Sequence, residues 1–316
     1  MASRIRYERL ATERPHRGTR DLDRLSPRQI AALMNREDRR AVAAVGRVAS
    51  DVARAVDRIV AALRAGGRLF FVGAGTSGRL GVLEAAECPP TFGTPPRLVQ
   101  AIIAGGRRAV FQSREGAEDD AKAAAREVRR RVRPRDVVVG VSASGVTPFV
   151  QGGLGAARRL GAATVLVACN PPRGRPPAEV IVAPRPGPEV LAGSTRLKAG
   201  TATKLVLNTL TTAAMVRLGK VYRNRMVDLQ PRSRKLRERA LRLIQDLSGV
   251  TPVRARSALA DARGRVRLAI AMAGSGLTAD AAARALAASA GSLRPFLQHV
   301  RGGSRSRRRR GKGAPR

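Results

Sequence analysis

The chain has no tryptophan, two tyrosines and six phenylalanines among its 316 residues. Nucleic-acid modules that stack bases on aromatic platforms are built from residues this sequence almost lacks. There are only two cysteines, Cys88 and Cys169, and two histidines, His16 and His299. A chain this long buries a core without a disulfide staple, so the two thiols are expected to be reduced and packed. With no Cys–His cluster, no zinc or other metal site is expected. No apolar run approaches the roughly 18 residues of a membrane span. The opening Met1-Ala2-Ser3-Arg4-Ile5-Arg6 lacks the apolar core of a signal peptide. The expected location is the cytoplasm, with no membrane partner. Acids are scarce as well: 23 Asp and Glu against 61 Lys and Arg leave a net charge of +38.

That excess invites a nucleic-acid reading. The positive charge is almost all arginine, however, spread over polar helical stretches such as Arg126-Glu127-Val128-Arg129-Arg130-Arg131. Such a distribution reads as a compositional bias, and no nucleic-acid module accompanies it. The terminal Arg301-Gly302-Gly303-Ser304-Arg305-Ser306-Arg307-Arg308-Arg309-Arg310 differs in kind. It is low-complexity, expected to be disordered, and suited to weak, salt-sensitive adhesion to polyanions. The remainder is rich enough in apolar residues, 43% overall, to fold.

Residues 8–26 read as an irregular charged arm. Ser26-Pro27 supplies an N-cap and a first-turn proline for a helix through Met34. A second, long amphipathic helix is expected from Glu37 to Arg64, with Val42, Val45, Val48, Val52, Ala55, Ile59 and Leu63 at helical spacing. Strands then alternate with helices. The strands expected are 69–72, 98–103, 137–141, 164–168 and 180–183; the helices are about 78–86, 116–131, 148–159 and 200–218. Short, continuous Val/Ile/Leu runs separated by helices imply a parallel sheet of about five strands covered on both faces. After about residue 232 the pattern is wholly helical. The expected organisation is an N-terminal arm with helices over 1–66, an α/β core over 67–231, a helical region over 232–300 and the basic tail over 301–316.

Two turns carry the chemistry. Gly73-Ala74-Gly75-Thr76-Ser77-Gly78-Arg79 follows the first strand, and Ser142-Ala143-Ser144-Gly145-Val146-Thr147-Pro148 follows the third. Glycines let the backbone approach a ligand closely. Hydroxyls and the free N–H groups of a following helix make a cradle of anion size. Both turns fall at the carboxyl edge of the sheet, where ligands bind in such folds. Gly73, Gly75 and Gly78 also fit the dinucleotide pattern, but the acid expected about 20 residues on is missing. A phosphorylated small molecule is the better fit, with no nucleotide cofactor. Two acidic groups lie near the same edge: Glu84 with Glu87, and the run Glu115-Gly116-Ala117-Glu118-Asp119-Asp120. Two carboxylates converging on one substrate can act as acid and base. The run is equally suited to a helix first turn, where acids are favoured. The loop 187–201, with Glu189, Ser194, Thr195, Arg196 and Lys198, is either a helix N-cap region capped by Ser194 or Thr195, or a third wall of the anion site.

Taken in order, Gly73–Arg79, Glu87-Cys88-Pro89-Pro90, Ile103-Ala104-Gly105-Gly106, Glu115–Asp119, Ser142–Pro148, Cys169-Asn170-Pro171 and Gly193–Thr201 resemble the N-acetylmuramic acid 6-phosphate etherases. These belong to the sugar-isomerase (SIS) superfamily, which also holds glucokinase regulatory protein. The resemblance runs from about Thr12 to Asp228 and more loosely beyond. It implies a flavodoxin-like SIS sheet and, without metal or nucleotide, release of D-lactate from a ring-opened sugar phosphate. It also implies Glu118 as the base, Glu87 as the acid, and a homodimer. Gly75, Thr76, Ser77, Gly78, Ser142, Ser144, Gly145, Thr147, Ser194 and Lys198 are the residues expected to hold the sugar phosphate. His16 stands where the family usually has Asn. A non-catalytic sugar-phosphate sensor and a sugar-phosphate isomerase are the alternatives; neither needs both acids.

Overall fold

Runs such as Leu69-Phe70-Phe71-Val72 and Val137-Val138-Val139, with no polar alternation, suit strands covered on both faces, and that is where the chain puts them. The computed structural model describes residues 8, 10–171, 174–231, 233–289 and 291–298. The expectations for the 301–316 tail and for His299 lie outside the described residues. Five parallel strands, β1 (Leu69–Gly73), β2 (Val99–Ile103), β3 (Val137–Ser142), β4 (Ala163–Ala168) and β5 (Val180–Val182), form one sheet in the order β2-β1-β3-β4-β5. This is the flavodoxin-like order, and the fold class read from the sequence holds.

Six long helices accompany the sheet: α1 (Pro27–Gly46), α2 (Ala49–Arg64), α3 (Gly75–Phe92), α4 (Ala121–Arg131), α5 (Pro148–Arg159) and α6 (Lys198–Arg217). One face carries Phe70, Val72, Ile102, Val138 and Leu166 against Ala124 and Val128 of α4 and Val150 and Leu154 of α5. α2 packs on the other face, against β1, β3, β4 and β5. At the amino edge, buried Asp136 accepts hydrogen bonds from the Arg68 side chain and from the backbone N–H groups of Arg68 and Arg133. That clamp closes the sheet's far end and leaves the carboxyl edge for ligands.

Packing divides the chain into two compact units. One comprises the residues up to Ala86 with Pro95–Ala214; the other comprises Glu87–Thr94 and the residues from Met215 on. The second holds a short antiparallel ladder, β6 (Val221–Tyr222) with β7 (Arg225–Met226), and four helices: α7 (Arg234–Ser248), α8 (Pro252–Asp261), α9 (Val266–Ser275) and α10 (Ala279–Ala288). Leu243, Ile244, Leu247, Ile270 and Leu297 are among its core. Among the described residues no helix is long and apolar enough to cross a membrane.

Several expected boundaries move. The break in the N-terminal helical segment falls at Arg47-Val48 rather than near Asn35, because nothing at 35–36 interrupts the hydrogen-bond ladder. α3 runs past Pro89 and Pro90 to Phe92, and Gly93 N–H closes it on the Pro89 carbonyl. The helix expected from 116 starts at Ala121; a 3₁₀ turn, Ala117–Asp119, precedes it. The β6–β7 ladder has no counterpart in the sequence reading, since two-residue strands leave no periodicity to see.

Candidate functional site

In the order β2-β1-β3-β4-β5 the chain reverses direction across the sheet between β1 and β3, and a crevice opens where neighbouring connections part. Both Gly/Ser turns flank that point. Their levels match, because Gly73 is paired with Val141, one residue before Ser142. Neighbouring strands lie about 4.8 Å apart, so the two cradles face the same small volume.

The first cradle has no room for side chains at two of its glycines. A Cβ on Gly78 would lie 2.6 Å from Ile103 Cγ1 and 2.7 Å from the Gly73 carbonyl oxygen. Gly75 has φ +52° and open space around its Cα, which suits backbone presented to a ligand. α3 starts there, so its first N–H groups point into the crevice. The Thr76 and Ser77 hydroxyls are half-buried, and among the described residues no hydrogen bond uses them. Arg79 turns away, its Nε donating to the Val110 carbonyl at 2.9 Å.

In the second cradle three hydroxyls meet. Ser142 Oγ lies 2.7 Å from Thr147 Oγ1 and 3.2 Å from Ser144 Oγ, and it accepts from Gly145 N–H at 3.0 Å. Gly145 has φ +77° and packs beside Ala168. Gln151 Nε2 donates to the Gly145 carbonyl at 2.7 Å, tying the turn to α5. The triangle is preorganised, and its hydroxyl protons can rotate toward an anion.

A third wall closes the crevice through direct contacts. Thr76 Cγ2 lies 3.8 Å from where a Gly200 Cβ would be, so the first turn of α6 abuts the first cradle. Asn170, fully buried after β4, donates to the Ala143 carbonyl of the second cradle and to Thr12 Oγ1, and it accepts from Ala11 N–H. Glu13 Oε2 in turn lies 3.5 Å from the Cβ position of Gly193, beside half-buried Ser194. Successive contacts thus link the first cradle to α6, the loop to the arm, and the arm to the second cradle.

The start of α6 is not capped by Ser194 or Thr195, as one reading of the sequence has it. Fully buried Glu189 accepts from the backbone N–H groups of Lys198 and Ala199, at 2.8 and 2.9 Å. Its burial raises its carboxyl above the ordinary range, against the pull of those two N–H donors. Lys198 is buried too, and its Nζ donates to Glu37 Oε2 at 2.9 Å. Glu37, on α1, also meets Arg40 and His16. Because His16 Nδ1 accepts from Gly18 N–H, Nε2 carries the proton toward Glu37. The pairings of Asn170 with Thr12, Glu37 with Lys198 and Glu189 with the Lys198 N–H span 158, 161 and 9 residues, and no local pattern in the sequence announces them.

The candidate acids separate cleanly. Glu84 is buried and engaged by Lys204 Nζ at 2.8 Å and Thr211 Oγ1 at 2.6 Å, which makes it structural. Glu87, three residues on, is exposed on α3 in the segment assigned to the second unit. Glu115 is exposed before the left-handed Gly116. Glu118 is exposed in the 3₁₀ turn that packs against α5, the helix opened by the second cradle. Asp120 is the N-cap of α4, its side chain accepting from Ala123 N–H at 2.7 Å.

Both cysteines are buried thiols, and neither is in a disulfide. Burial pushes the Cys169 thiol up to about 12, partly offset by Thr203 Oγ1. The folded protein is therefore expected to show no fast reaction with a thiol reagent such as dithionitrobenzoate, and two reactive thiols once denatured. Rapid native labelling would contradict this packing.

The model of the glucokinase regulatory protein N-terminal SIS domain matches residues 51–158, from α2 through α5. The N-acetylmuramic acid 6-phosphate etherase of Symbiobacterium thermophilum is 51% identical over 264 residues, covering 83% of this chain and 88% of the relative. The chain belongs to the N-acetylmuramic acid 6-phosphate etherase family. The etherase of Rubrobacter xylanophilus is 50% identical over 298 residues, 92% of this chain and 97% of that one. Among solved structures, a phosphoheptose isomerase from Francisella tularensis matches with a TM-score of 0.48 at 14% identity, over 61% of this chain and 99% of that one. The resemblance read from the ordered Gly/Ser turns and acids is that of the etherase family, as the full-length identities establish.

Proposed function

We propose that this member of the etherase family cleaves the D-lactyl ether of N-acetylmuramic acid 6-phosphate, giving N-acetylglucosamine 6-phosphate and D-lactate, in the cytoplasm and as a homodimer. The observation that carries the reading is the pair of hydroxyl-lined cradles at one switch point, in a chain about 50% identical to named etherases over most of its length. The phosphate fits the first cradle, where the N–H groups of α3 and the Thr76 and Ser77 hydroxyls are unspent. The hydroxyls of Ser142, Ser144 and Thr147 suit the remainder of the sugar phosphate, with Ser194 on the third wall. Lys198 contributes by fixing that wall through Glu37, and its positive charge adds to the field at the crevice.

In the reaction we propose, the ring-opened sugar presents an aldehyde at C1, which makes the C2 proton removable. Glu118 takes that proton while Glu87 delivers one to the ether oxygen on C3. The C3–O bond breaks, its electron pair leaves with D-lactate, and a C2=C3 double bond remains. Water adds across it: hydroxide equivalent to C3, proton to C2. The substrate carries a phosphate and a lactyl carboxylate, so the +38 chain also draws it in electrostatically.

The test is D-lactate formation from the 6-phosphorylated sugar and from the same sugar without phosphate. Stoichiometric D-lactate and N-acetylglucosamine 6-phosphate from the first, with far less from the second, is the expected outcome. A folded protein that binds the phosphorylated sugar and releases nothing would overturn the reading.

A further inference from the structure

We propose that Glu13 is a specificity-determining residue, placed by the N-terminal arm to accept hydrogen bonds from the sugar portion of the bound ligand rather than from its phosphate. The inference rests on the sugar-phosphate reading above and extends it to a residue outside the two cradles. The arm, residues 10–16, is not a loose extension. Asn170 holds Ala11 N–H at 2.8 Å and Thr12 Oγ1 at 3.0 Å, and Thr12 is fully buried. Further along, His16 Nε2 lies 3.1 Å from Glu37 Oε2, which also takes Lys198 Nζ. These two anchors straddle Glu13 and fix its backbone against the walls of the crevice.

The side chain itself is committed to very little. Among the described residues its one hydrogen bond comes from Thr12 Oγ1, to Oε1 at 3.3 Å, and it forms no ion pair. The residue is half-buried, on the side of the arm that meets Gly193. Oε2 reaches over Gly193, 3.5 Å from its Cβ position, at ordinary van der Waals contact. Gly193 has φ +78°, so glycine is favoured there on conformational grounds. A carboxylate offers acceptors only. It repels a phosphate, and it suits hydroxyl and amide N–H donors. Phosphate and Glu13 therefore sort the two ends of one ligand, with the phosphate at the glycine cradle and the donors at the arm.

Calorimetric titration with N-acetylglucosamine 6-phosphate and, separately, with inorganic phosphate tests this on the full chain. Glu13→Ala should weaken the sugar phosphate by roughly 10-fold or more, as loss of a charged hydrogen-bond acceptor does. Its affinity for inorganic phosphate should stay the same or rise. Glu13→Gln, which keeps the shape and one acceptor, should fall between Glu13→Ala and wild type with the sugar phosphate, and it carries the test if the alanine variant fails to fold. In D-lactate release the effect should appear in KM, with kcat within about threefold of wild type. A purely structural residue would weaken both ligands together, so equal losses would overturn the proposal, as would an unchanged sugar-phosphate affinity in both variants. If wild type itself binds no sugar phosphate, the reading beneath the inference falls, and the inference with it.

Discussion

Glu118→Gln and Glu87→Gln should each cut D-lactate release by about 10²–10⁴-fold while leaving the protein folded. The range is that of a positioned proton donor or acceptor, and elimination beside an aldehyde needs one of each. Both carboxylates are exposed, and neither is part of the buried ion-pair framework. Surface substitutions of that kind usually change stability by no more than about 0.5 kcal/mol. Activity should therefore fall without any matching fall in Tm. Glu84→Gln is the informative contrast: it disturbs a buried carboxylate bonded to Lys204 and Thr211, so its cost should appear first in stability. If either exposed acid can be neutralised with less than a tenfold loss, its catalytic role is wrong.

Lys198→Met should have the largest effect on stability. Lys198 Nζ and Glu37 are each 1% exposed and 2.9 Å apart. Removing one partner leaves a buried charge without its nearest compensation, which typically costs about 3–5 kcal/mol. Arg40 and His16 still face Glu37, so the lower end is expected. In a domain of this size that corresponds to a fall in Tm of roughly 6–12 °C. Adding Glu37→Gln should recover much of the loss, because the second charge then no longer needs a partner. Burial alone would raise the Glu37 carboxyl, but Lys198, His16 and Arg40 outweigh it and hold it below the ordinary value of 4.5. A group depressed on folding stabilises fully above its unfolded pKa and loses that contribution as pH falls through the folded one. Wild type should therefore lose stability below about pH 4.5 more steeply than the double variant does. Thermal melts between pH 3 and 7 would show it; parallel curves would contradict it.

The fold was legible because its signals are local. The strands of the sheet are short, largely apolar runs, and Gly73–Gly78 and Ser142–Pro148 mark where two of them end. The cradles could be read for the same reason, since their ligand groups are consecutive residues. Glu84 and Glu87 show the limit. Three positions apart on one helix, both looked available, and only packing reveals that Glu84 is spent on Lys204 and Thr211. One of the two readings of the 187–201 loop capped α6 with Ser194 or Thr195, because hydroxyls next to a helix start are the ordinary local solution. Here Glu189 does it from nine positions upstream of Lys198. The Asn170 hub and the Glu37–Lys198 pair join residues about 160 positions apart, and no periodicity or spacing encodes such partners. The helix break was expected between Met34 and Glu37, but nothing there withdraws a backbone donor and α1 runs on to Gly46.

The division of labour between the two acids is the centre of the account, and hydrogen exchange at C2 of the substrate in deuterated water tests it most directly. With Glu87→Gln, the base is intact and the leaving group is not protonated. Recovered N-acetylmuramic acid 6-phosphate should then carry deuterium at C2 with little D-lactate formed. With Glu118→Gln, neither exchange nor release should occur. Exchange by Glu118→Gln, or its absence in a folded Glu87→Gln protein that still binds substrate, would contradict the assignment.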